Sequence, residues 1–168
     1  MSLTSKDKEQ IDNFKKILKL SAKVGITYSG ERKTSAFRIQ FGDVSLYQFL
    51  LSVGLTPAKS KTINALSIPD KYFFDFLRGH HDGDGTFYSY WDSRWKSSFM
   101  FYLVFVSASK MHIDWIRNKL QRKLQVKGHV TLGHGVSQLK YAKRESMKIL
   151  KKMYVDKSVV CLSRKRLK

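Results

Sequence analysis

The sequence predicts an α+β fold in which antiparallel β-hairpins alternate with helices, arranged as about one and a half copies of one repeat. Segments with apolar residues at helical spacing alternate with short segments rich in β-branched and aromatic residues. Two stretches of the chain also resemble each other at a nearly constant displacement, which is typical of an internal repeat. Because 42% of the residues are hydrophobic, the chain can bury a core, and a disordered chain is excluded.

The first part of the chain is predicted to form a helix, a hairpin and a second helix, at residues 6–20, 23–28, 36–41 and 43–53. Ser5 is the expected N-cap of the first helix, because its hydroxyl can accept a bond from a free backbone N–H group. Gly54 is expected to end the second helix. Leu46, Phe49 and Leu50 of that helix recur at helical spacing and are expected to face the core.

The second part repeats this order after one additional helix and hairpin. A connector at residues 57–69 leads into elements predicted, in order, as a helix at 70–82, strands at 86–91 and 99–107, a helix at 111–124, strands at 128–132 and 136–141, and a helix at 144–154. Ser109 is the expected N-cap of the middle helix. Phe101, Leu103 and Phe105 alternate along their strand and are expected to lie in the core.

The repeat is visible in the residues themselves. The matching stretches, in order, are residues 2–6 with 106–110, 11–18 with 113–120, and 39–41 with 139–141. We therefore expect residues 1–56 to be the C-terminal part of a first repeat, residues 70–160 a complete second repeat, and residues 161–168 a basic tail. The first copy lacks the helix and hairpin that open the second copy, so these elements are expected upstream of Met1.

The charge of the chain predicts a polyanionic partner. Thirty-two Lys and Arg residues against thirteen Asp and Glu residues give a formal net charge of +19. Nucleic acid is favoured over a membrane surface, because the basic residues do not share one amphipathic helix and no apolar run is long enough to span a bilayer. A merely solvated basic surface is the alternative. The single cysteine, Cys161, and the absence of a signal peptide predict an intracellular, reducing location.

Residues 77–87 carry the most specific motif of the chain. Leu77, Gly79, Asp82, Asp84 and Gly85 stand at the positions of the LAGLIDADG motif of homing endonucleases, and the chain resembles that family over its whole length. The order of a motif helix, hairpin, helix, hairpin and helix is similar as well. The resemblance implies the LAGLIDADG fold, with its helices packed on one face of the hairpins, and the first part of the chain resembles the end of a preceding repeat.

Gly79 and Gly83 are four residues apart, so they lie on one face of a helix and would let a second helix approach closely. In the resembled family this helix is the interface between two repeats, which implies interface positions at Leu77, Gly79, His80, Asp82 and Gly83. Because the chain carries one motif, activity would need a homodimer or a missing half. An exposed apolar patch on the motif helix, including Phe73, is expected to favour dimerisation. The alternative is that Gly83 simply ends the helix.

The resemblance implies that Asp84 binds the metal ion of a nuclease, and hard oxygen ligands suit Mg²⁺, or Ca²⁺ bound without reaction. Lys140 corresponds to the basic residue that the family places near the scissile phosphate, and Gln40 is its partner in the first repeat. Two alternatives remain open at this point. The acidic pair could stabilise a turn, and Lys140 could bind phosphate without a catalytic role.

The hairpins are expected to face DNA, since family members lay them in the major groove. The candidate DNA-binding residues are Arg32, Lys33, Arg38, Thr86, Tyr88, Tyr90, Arg94, Lys96 and Gln138. Tyr88 and Tyr90 could equally serve in packing, or as stacking platforms for RNA. Two functions follow: a site-specific, metal-dependent endonuclease of double-stranded DNA, and a module without nuclease activity, either a DNA-binding regulator or an RNA-splicing maturase.

Overall fold

The computed structural model describes residues 1–29, 34–95 and 97–166. Its elements are β1 Ser2–Ser5, α1 Lys8–Leu18, β2 Val24–Ser29, β3 Thr34–Gln40, α2 Val44–Ser52, α3 Phe73–Asp84, β4 Thr86–Trp91, β5 Phe99–Ser107, α4 Lys110–Leu124, β6 His129–Gly133, β7 Val136–Ala142 and α5 Lys143–Met153. Short 3₁₀ turns lie at Asp70–Tyr72 and Ser163–Lys165. The predicted α+β class and the order of helices and hairpins are confirmed.

Two antiparallel sheets share one pairing order. The first sheet has the strand order β1-β3-β2, and the second has the order β4-β5-β7-β6. Leu3 pairs with Ile39 across β1 and β3, and Phe105 pairs with Leu139 across β5 and β7. The first sheet therefore reproduces three strands of the second, which gives the fold its one and a half repeats.

The helices of the second repeat pack on one face of its sheet. Every second residue of β5 and β7 points to this face, so Leu103, Phe105, Leu139 and Tyr141 are fully buried. Opposite them lie apolar residues of α3, α4 and α5, among them Leu77, Ile113, Ile116 and Ile149. Burial of each such side chain contributes about 1.5–3 kcal/mol, so this core holds α3 in place against the sheet. As predicted, Phe101 belongs to it.

The start of the chain differs from its prediction. Residues 2–5 form a strand, and the first helix begins at Lys8 with Asp7 as its N-cap. Ser5 was the expected cap, but its hydroxyl accepts the Asp7 N–H at 3.0 Å and donates to Gln10, so it stabilises the turn before the helix. Ser109 is confirmed as an N-cap, since its hydroxyl accepts the N–H of His112.

The second helix is less buried than its sequence suggests. Leu46 and Leu50 are half-buried, but Phe49 is 59% exposed, so the prediction that it faces the core is wrong. The counterpart of α2 in the second repeat, α5, packs against α3 as well as against the sheet. The part of the chain that the structure describes holds no helix beside α2 in the place that α3 takes beside α5. One side of α2 therefore stays open.

The connector packs onto the start of α4. The carbonyl of Ile63 accepts the Ser109 hydroxyl at 2.5 Å, and the carbonyl of Asn64 lies 2.8 Å from Nδ1 of His112. Leu66 is buried. These contacts fix the path of the chain from the first sheet to α3. None of the helices in the described ranges is both long and apolar enough to cross a membrane.

Candidate nucleic-acid interface

The motif helix α3 continues through Gly83 and ends at Asp84. Gly85 is its C-cap, and its N–H donates to the carbonyls of His80 and His81 at 3.3 and 3.0 Å. A Cβ at Gly85 would lie 2.7 Å from Cα of His81, so only glycine allows the chain to leave the helix this closely. The alternative that Gly83 ends the helix is wrong. Both acids therefore belong to the last turn of the helix.

The two acids have different surroundings. Asp84 is exposed at the helix end. Asp82 is half-buried, and its Oδ2 accepts the N–H of Leu162 at 3.0 Å. Burial raises the pKa of Asp82, and this effect outweighs the lowering by the Leu162 N–H and by the nearby Lys165. Asp82 thus links α3 to the end of the chain, whereas Asp84 is accessible to a ligand.

A buried lysine caps the end of the motif helix. Lys165 is 6% exposed, and its Nζ donates to the carbonyls of His81, Asp82 and Gly85 at 2.7, 2.8 and 2.8 Å. The carbonyl of His81 also accepts the Gly85 N–H, whereas those of Asp82 and Gly85 lie beyond the last backbone bond of the helix, and a cation there interacts favourably with the helix dipole. Burial lowers the pKa of Lys165, followed by repulsion from Arg164. Sequence reasoning missed this residue, because a run of basic residues is typical of a solvated tail.

The predicted basic tail is, as far as Arg166, a packed segment. We call residues 162–166 the C-terminal segment. It contacts α1 as well as α3: Arg164 forms a two-bond ion pair with Asp7, at 3.0 and 2.6 Å, and Ser163 bonds to Glu9. The segment therefore joins the helix of the first repeat to the end of the motif helix. Its basic side chains satisfy carbonyls and carboxylates.

The glycine face of α3 is open. A Cβ at Gly79 or Gly83 would meet no heavy atom within 4 Å. Beside this face lies a groove of about 540 Å³, whose walls come from α3, α1, β1 and the residues after α5. Its lining includes Arg78, Gly79 and Asp82 on one side and Phe14 and Ile17 on the other. The close approach that the glycines predict is therefore not made within the described chain.

The structure corrects the interface predicted on this helix. Leu77 is fully buried in the core of the second repeat, and His80 packs against Phe76, Phe105 and His112. Phe73, expected in an exposed apolar patch, is 1% exposed. These side chains face inward because the sheet and α4 cover that side of the helix. The outward face of α3 is left with its glycines and acids.

The motif histidines are neutral packing groups. Burial lowers the pKa of both His80 and His81 to about 4, with smaller contributions from His112 to the first and from Lys165 to the second. Among the residues that the structure describes, no three His, Cys, Asp or Glu side chains are grouped to hold a metal ion. Mg²⁺ is commonly bound by one or two carboxylates together with phosphates of the substrate, so the exposed Asp84 fits a site that a second chain and a nucleic acid would complete.

The face of the second sheet opposite the helices, which we call the open face, begins directly after the motif helix. Thr86 pairs with Val104, and Val104 pairs with Lys140, so these three residues form one row across the sheet. Lys140 is half-buried, and its side chain points away from its buried neighbour Leu139, as predicted. Gln138 lies in the next row, opposite Val106.

The remaining predicted contacts lie on the first sheet and at the hairpin tip. Arg38 and Gln40 share one face of β3, and they occupy the places that Gln138 and Lys140 have in β7. Lys140 and Gln40 are therefore equivalent but lie on different sheets. Arg94 is exposed, and its guanidinium bonds to Asp92 at 3.2 and 3.1 Å. Three predicted residues lie outside the described residues: Arg32, Lys33 and Lys96.

Solved structures with the same architecture are known. The chain superposes on the homing endonuclease I-WcaI bound to its DNA recognition sequence with a TM-score of 0.68 and 12% identity, covering 99% of this chain and 74% of that one. Mesophilic variants of the homing endonuclease I-DmoI match at 0.59 and 15%, over 97% and 78%. The N-terminal LAGLIDADG domain of DUF199/WhiA matches at 0.59 and 13%, over 93% and 73%. No family model and no curated protein matches the sequence, so these likenesses establish the fold.

Proposed function

Because the chain has the LAGLIDADG homing-endonuclease fold, we propose that it binds double-stranded DNA and cleaves its phosphodiester bonds with Asp84 at the end of α3. One observation carries the proposal: Asp84 is an exposed carboxylate at the point where the motif helix leads into the open face. A nucleic acid lying on that face would bring a backbone phosphate next to this acid. The relative I-WcaI is bound to its DNA recognition sequence.

Charge and shape support the binding of DNA. A net charge of +19 attracts the phosphate backbone and releases its counterions, which gives a steep dependence of affinity on salt. The basic and amide side chains of the strands point to the face away from the helices, where they could contact phosphates and base edges. The proposed DNA contacts are Arg32, Lys33, Arg38, Gln40, Thr86, Tyr88, Tyr90, Arg94, Lys96, Gln138 and Lys140.

Cleavage would use a divalent metal ion held by Asp84. When bound, Mg²⁺ supplies charge stabilisation at the phosphate and activates water, whereas Ca²⁺ would bind without reaction. I-DmoI has been solved with DNA and either Mn or Ca. The side chains of this protein would orient the phosphate of the DNA backbone that is to be cleaved. Lys140 lies in the row that begins at Thr86, two residues after Asp84, and would stabilise negative charge on the phosphate.

A second motif helix would complete the site. The groove beside Gly79 and Gly83 supports this, since it exposes the small residues of α3 and the apolar residues of α1 to an incoming helix. We propose that a second copy of the chain, or a segment preceding it, supplies that helix and a second acid. Residues 1–56, 57–69 and 70–160 would then be the end of a first repeat, a connector and a complete second repeat.

One observation favours a second candidate function. Only one exposed motif acid is present in the described part of the chain, and two are needed for the proposed chemistry. A DNA-binding module without nuclease activity would need neither the metal ion nor a second acid. It would still need the basic sheet faces. The two candidates therefore differ in their dependence on Asp84.

The test compares the wild-type protein with Asp84→Asn, using Asp12→Asn on the exposed side of α1 as the matched control. A library of duplex sites is incubated with Mg²⁺, and binding is measured separately with Ca²⁺ in place of Mg²⁺. We expect Asp84→Asn to slow cleavage by at least about 100-fold while duplex affinity is unchanged. Equal cleavage by wild type and Asp84→Asn would refute the catalytic role. Binding without any cleavage would support the second candidate.

The oligomeric state is measured alongside by light scattering. A mass of twice the 19.5 kDa chain would support a homodimer, and Gly79→Leu, which places a large side chain in the groove, should then shift the protein to a monomer. Lys140→Ala should reduce the slope of log affinity against log salt by about 1. An unchanged slope would remove Lys140 from the phosphate contacts.

A further inference from the structure

Three tyrosines form an ordered cluster on the open face. Tyr88 and Tyr102 are direct partners across β4 and β5, with ring centroids 5.2 Å apart. Tyr90 lies 6.4 Å from each of them. The planes of the three rings agree within 20°, so the rings are nearly parallel. A planar ligand stacked on one ring would be parallel to all three.

The cluster is exposed although its rings are large. Tyr88 and Tyr90 are 40% and 46% exposed, and they point away from the core that the neighbouring Phe87 helps to form. Exposed aromatic area is unfavourable in water, and a contiguous patch of it commonly marks a binding site. Burial raises the pKa of Tyr102, with smaller effects from Tyr90 and Tyr88, so this ring is an uncharged phenol at neutral pH.

One basic residue lies beside the cluster on the open face. Lys140 lies on the same face, one row from Tyr102. Arg94 is exposed at the hairpin tip, where its guanidinium is paired with Asp92, and Lys143 contacts the ring of Phe99 on the other face of the sheet. Exposed aromatic rings beside a lysine on a strongly basic chain are a combination that binds a single nucleic-acid strand, in which bases can stack on the rings. In a duplex the base faces are already stacked on one another and are closed to the tyrosines.

We propose that Tyr88, Tyr90 and Tyr102 form a stacking site for unpaired bases of single-stranded DNA. The inference rests on the proposed function only in assigning the open face to DNA. Continuity supports that assignment: Tyr88 follows Thr86 on the same face at a spacing of about 7 Å, and Thr86 begins the row that contains Lys140. The site would hold a strand that is separated next to the position of cleavage.

The experiment measures binding of a fluorescein-labelled 12-nucleotide thymidine oligomer by anisotropy, in parallel with a 12-base-pair duplex. The test variant is Tyr88→Leu/Tyr102→Leu, and Tyr72→Leu is the control at another exposed tyrosine. We expect the double variant to lose about 10-fold or more in affinity for the single strand, and a loss at least about 3-fold smaller for the duplex, which Tyr88 would contact without stacking on its bases. The salt slope should stay the same, because no charge is removed. Tyr88→Phe/Tyr102→Phe should keep wild-type affinity, since the ring faces remain.

Equal single-strand affinity of the double variant and Tyr72→Leu would overturn the proposal, as would an equal loss for single strand and duplex. Tighter binding of a uridine 12-mer RNA than of the DNA oligomer would overturn the assignment to DNA. If leucine disturbs the sheet, Tyr88→Phe/Tyr102→Phe still tests the proposal, because stacking requires this variant to keep its affinity for the single strand. The oligomer assay measures binding and does not depend on cleavage. A result against the nuclease activity can therefore be distinguished from a result against the stacking site.

Discussion

Replacement of Lys165 by methionine tests whether the C-terminal segment stabilises the motif helix. Methionine keeps most of the length of the side chain but removes the ammonium group. Three bonds of 2.7–2.8 Å to the carbonyls of His81, Asp82 and Gly85 would then be lost. The carbonyl of His81 would keep its bond to the Gly85 N–H, so those of Asp82 and Gly85 would be left without this partner. An unsatisfied buried acceptor costs about 1–3 kcal/mol, although removal of a buried charge offsets part of this loss. We expect the free energy of unfolding to fall by about 3 kcal/mol.

Urea denaturation followed by circular dichroism measures this difference. A loss of about 3 kcal/mol in a chain of this length lowers the melting temperature by about 6–12 °C. Lys152→Met is the matched control, because Lys152 is exposed on α5 and such surface changes are usually within about 0.5 kcal/mol. Hydrogen exchange at the Gly85 N–H should also become faster in Lys165→Met, since the last turn of α3 would open more often. Equal stability of the two variants would refute the reasoning.

Two further predictions concern the same helix. The free energy of unfolding should fall as pH decreases from 6.5 toward 4, by up to about 1.4 kcal/mol per pH unit for each of His80 and His81, because burial lowers both pKa values to about 4 in the folded state. The raised pKa of Asp82 acts in the opposite direction. A urea midpoint that does not change across this pH range would contradict the prediction. Gly79→Ala should raise the free energy of unfolding of the monomer by about 0.5–1 kcal/mol, because the new Cβ meets open space. Gly85→Ala should lower the free energy of unfolding, because the new Cβ would lie 2.7 Å from Cα of His81. Melting temperatures of the two variants that shift in the same direction would disprove this contrast.

The order of elements could be predicted because local patterns carry it. Phe101, Leu103 and Phe105 alternate along one strand, and this alternation alone assigns a buried and an open face to the second hairpin. The existence of the repeat could be predicted as well, but its alignment at the start of the chain was two residues out: the equivalent pairs Leu3–Ile39 and Phe105–Leu139 match Leu3 with Phe105, whereas the predicted match aligned it with Ser107. Because β4 begins at Thr86, two residues after Asp84, the sequence also predicts that the open face lies next to the motif.

The error at Ser5 is local, since the helix begins two residues later than predicted, but the other errors concern elements that are distant in sequence. Phe49 has the spacing of a core residue, but no helix in the described chain covers that side of α2. Leu77 and His80 stand at positions that the resemblance assigns to an interface, but in this structure they pack against the sheet and α4. Lys165 looks like part of a solvated tail, and nothing in its neighbourhood shows that its Nζ reaches a carbonyl 80 positions earlier. Such contacts depend on the folded arrangement rather than on local pattern.

The contact between Arg164 and Asp7 has a consequence for the order of events during synthesis. It joins residues 157 positions apart in the chain, and the same segment provides the cap of α3. A nascent chain of which residues 1–153 have left the ribosome contains the motif helix and both sheets, yet the last turn of that helix lacks the ammonium of Lys165 that binds its carbonyls. The acids at this turn become fixed only when residues 162–166 emerge. The strands of both sheets are therefore complete before the end of the motif helix is capped.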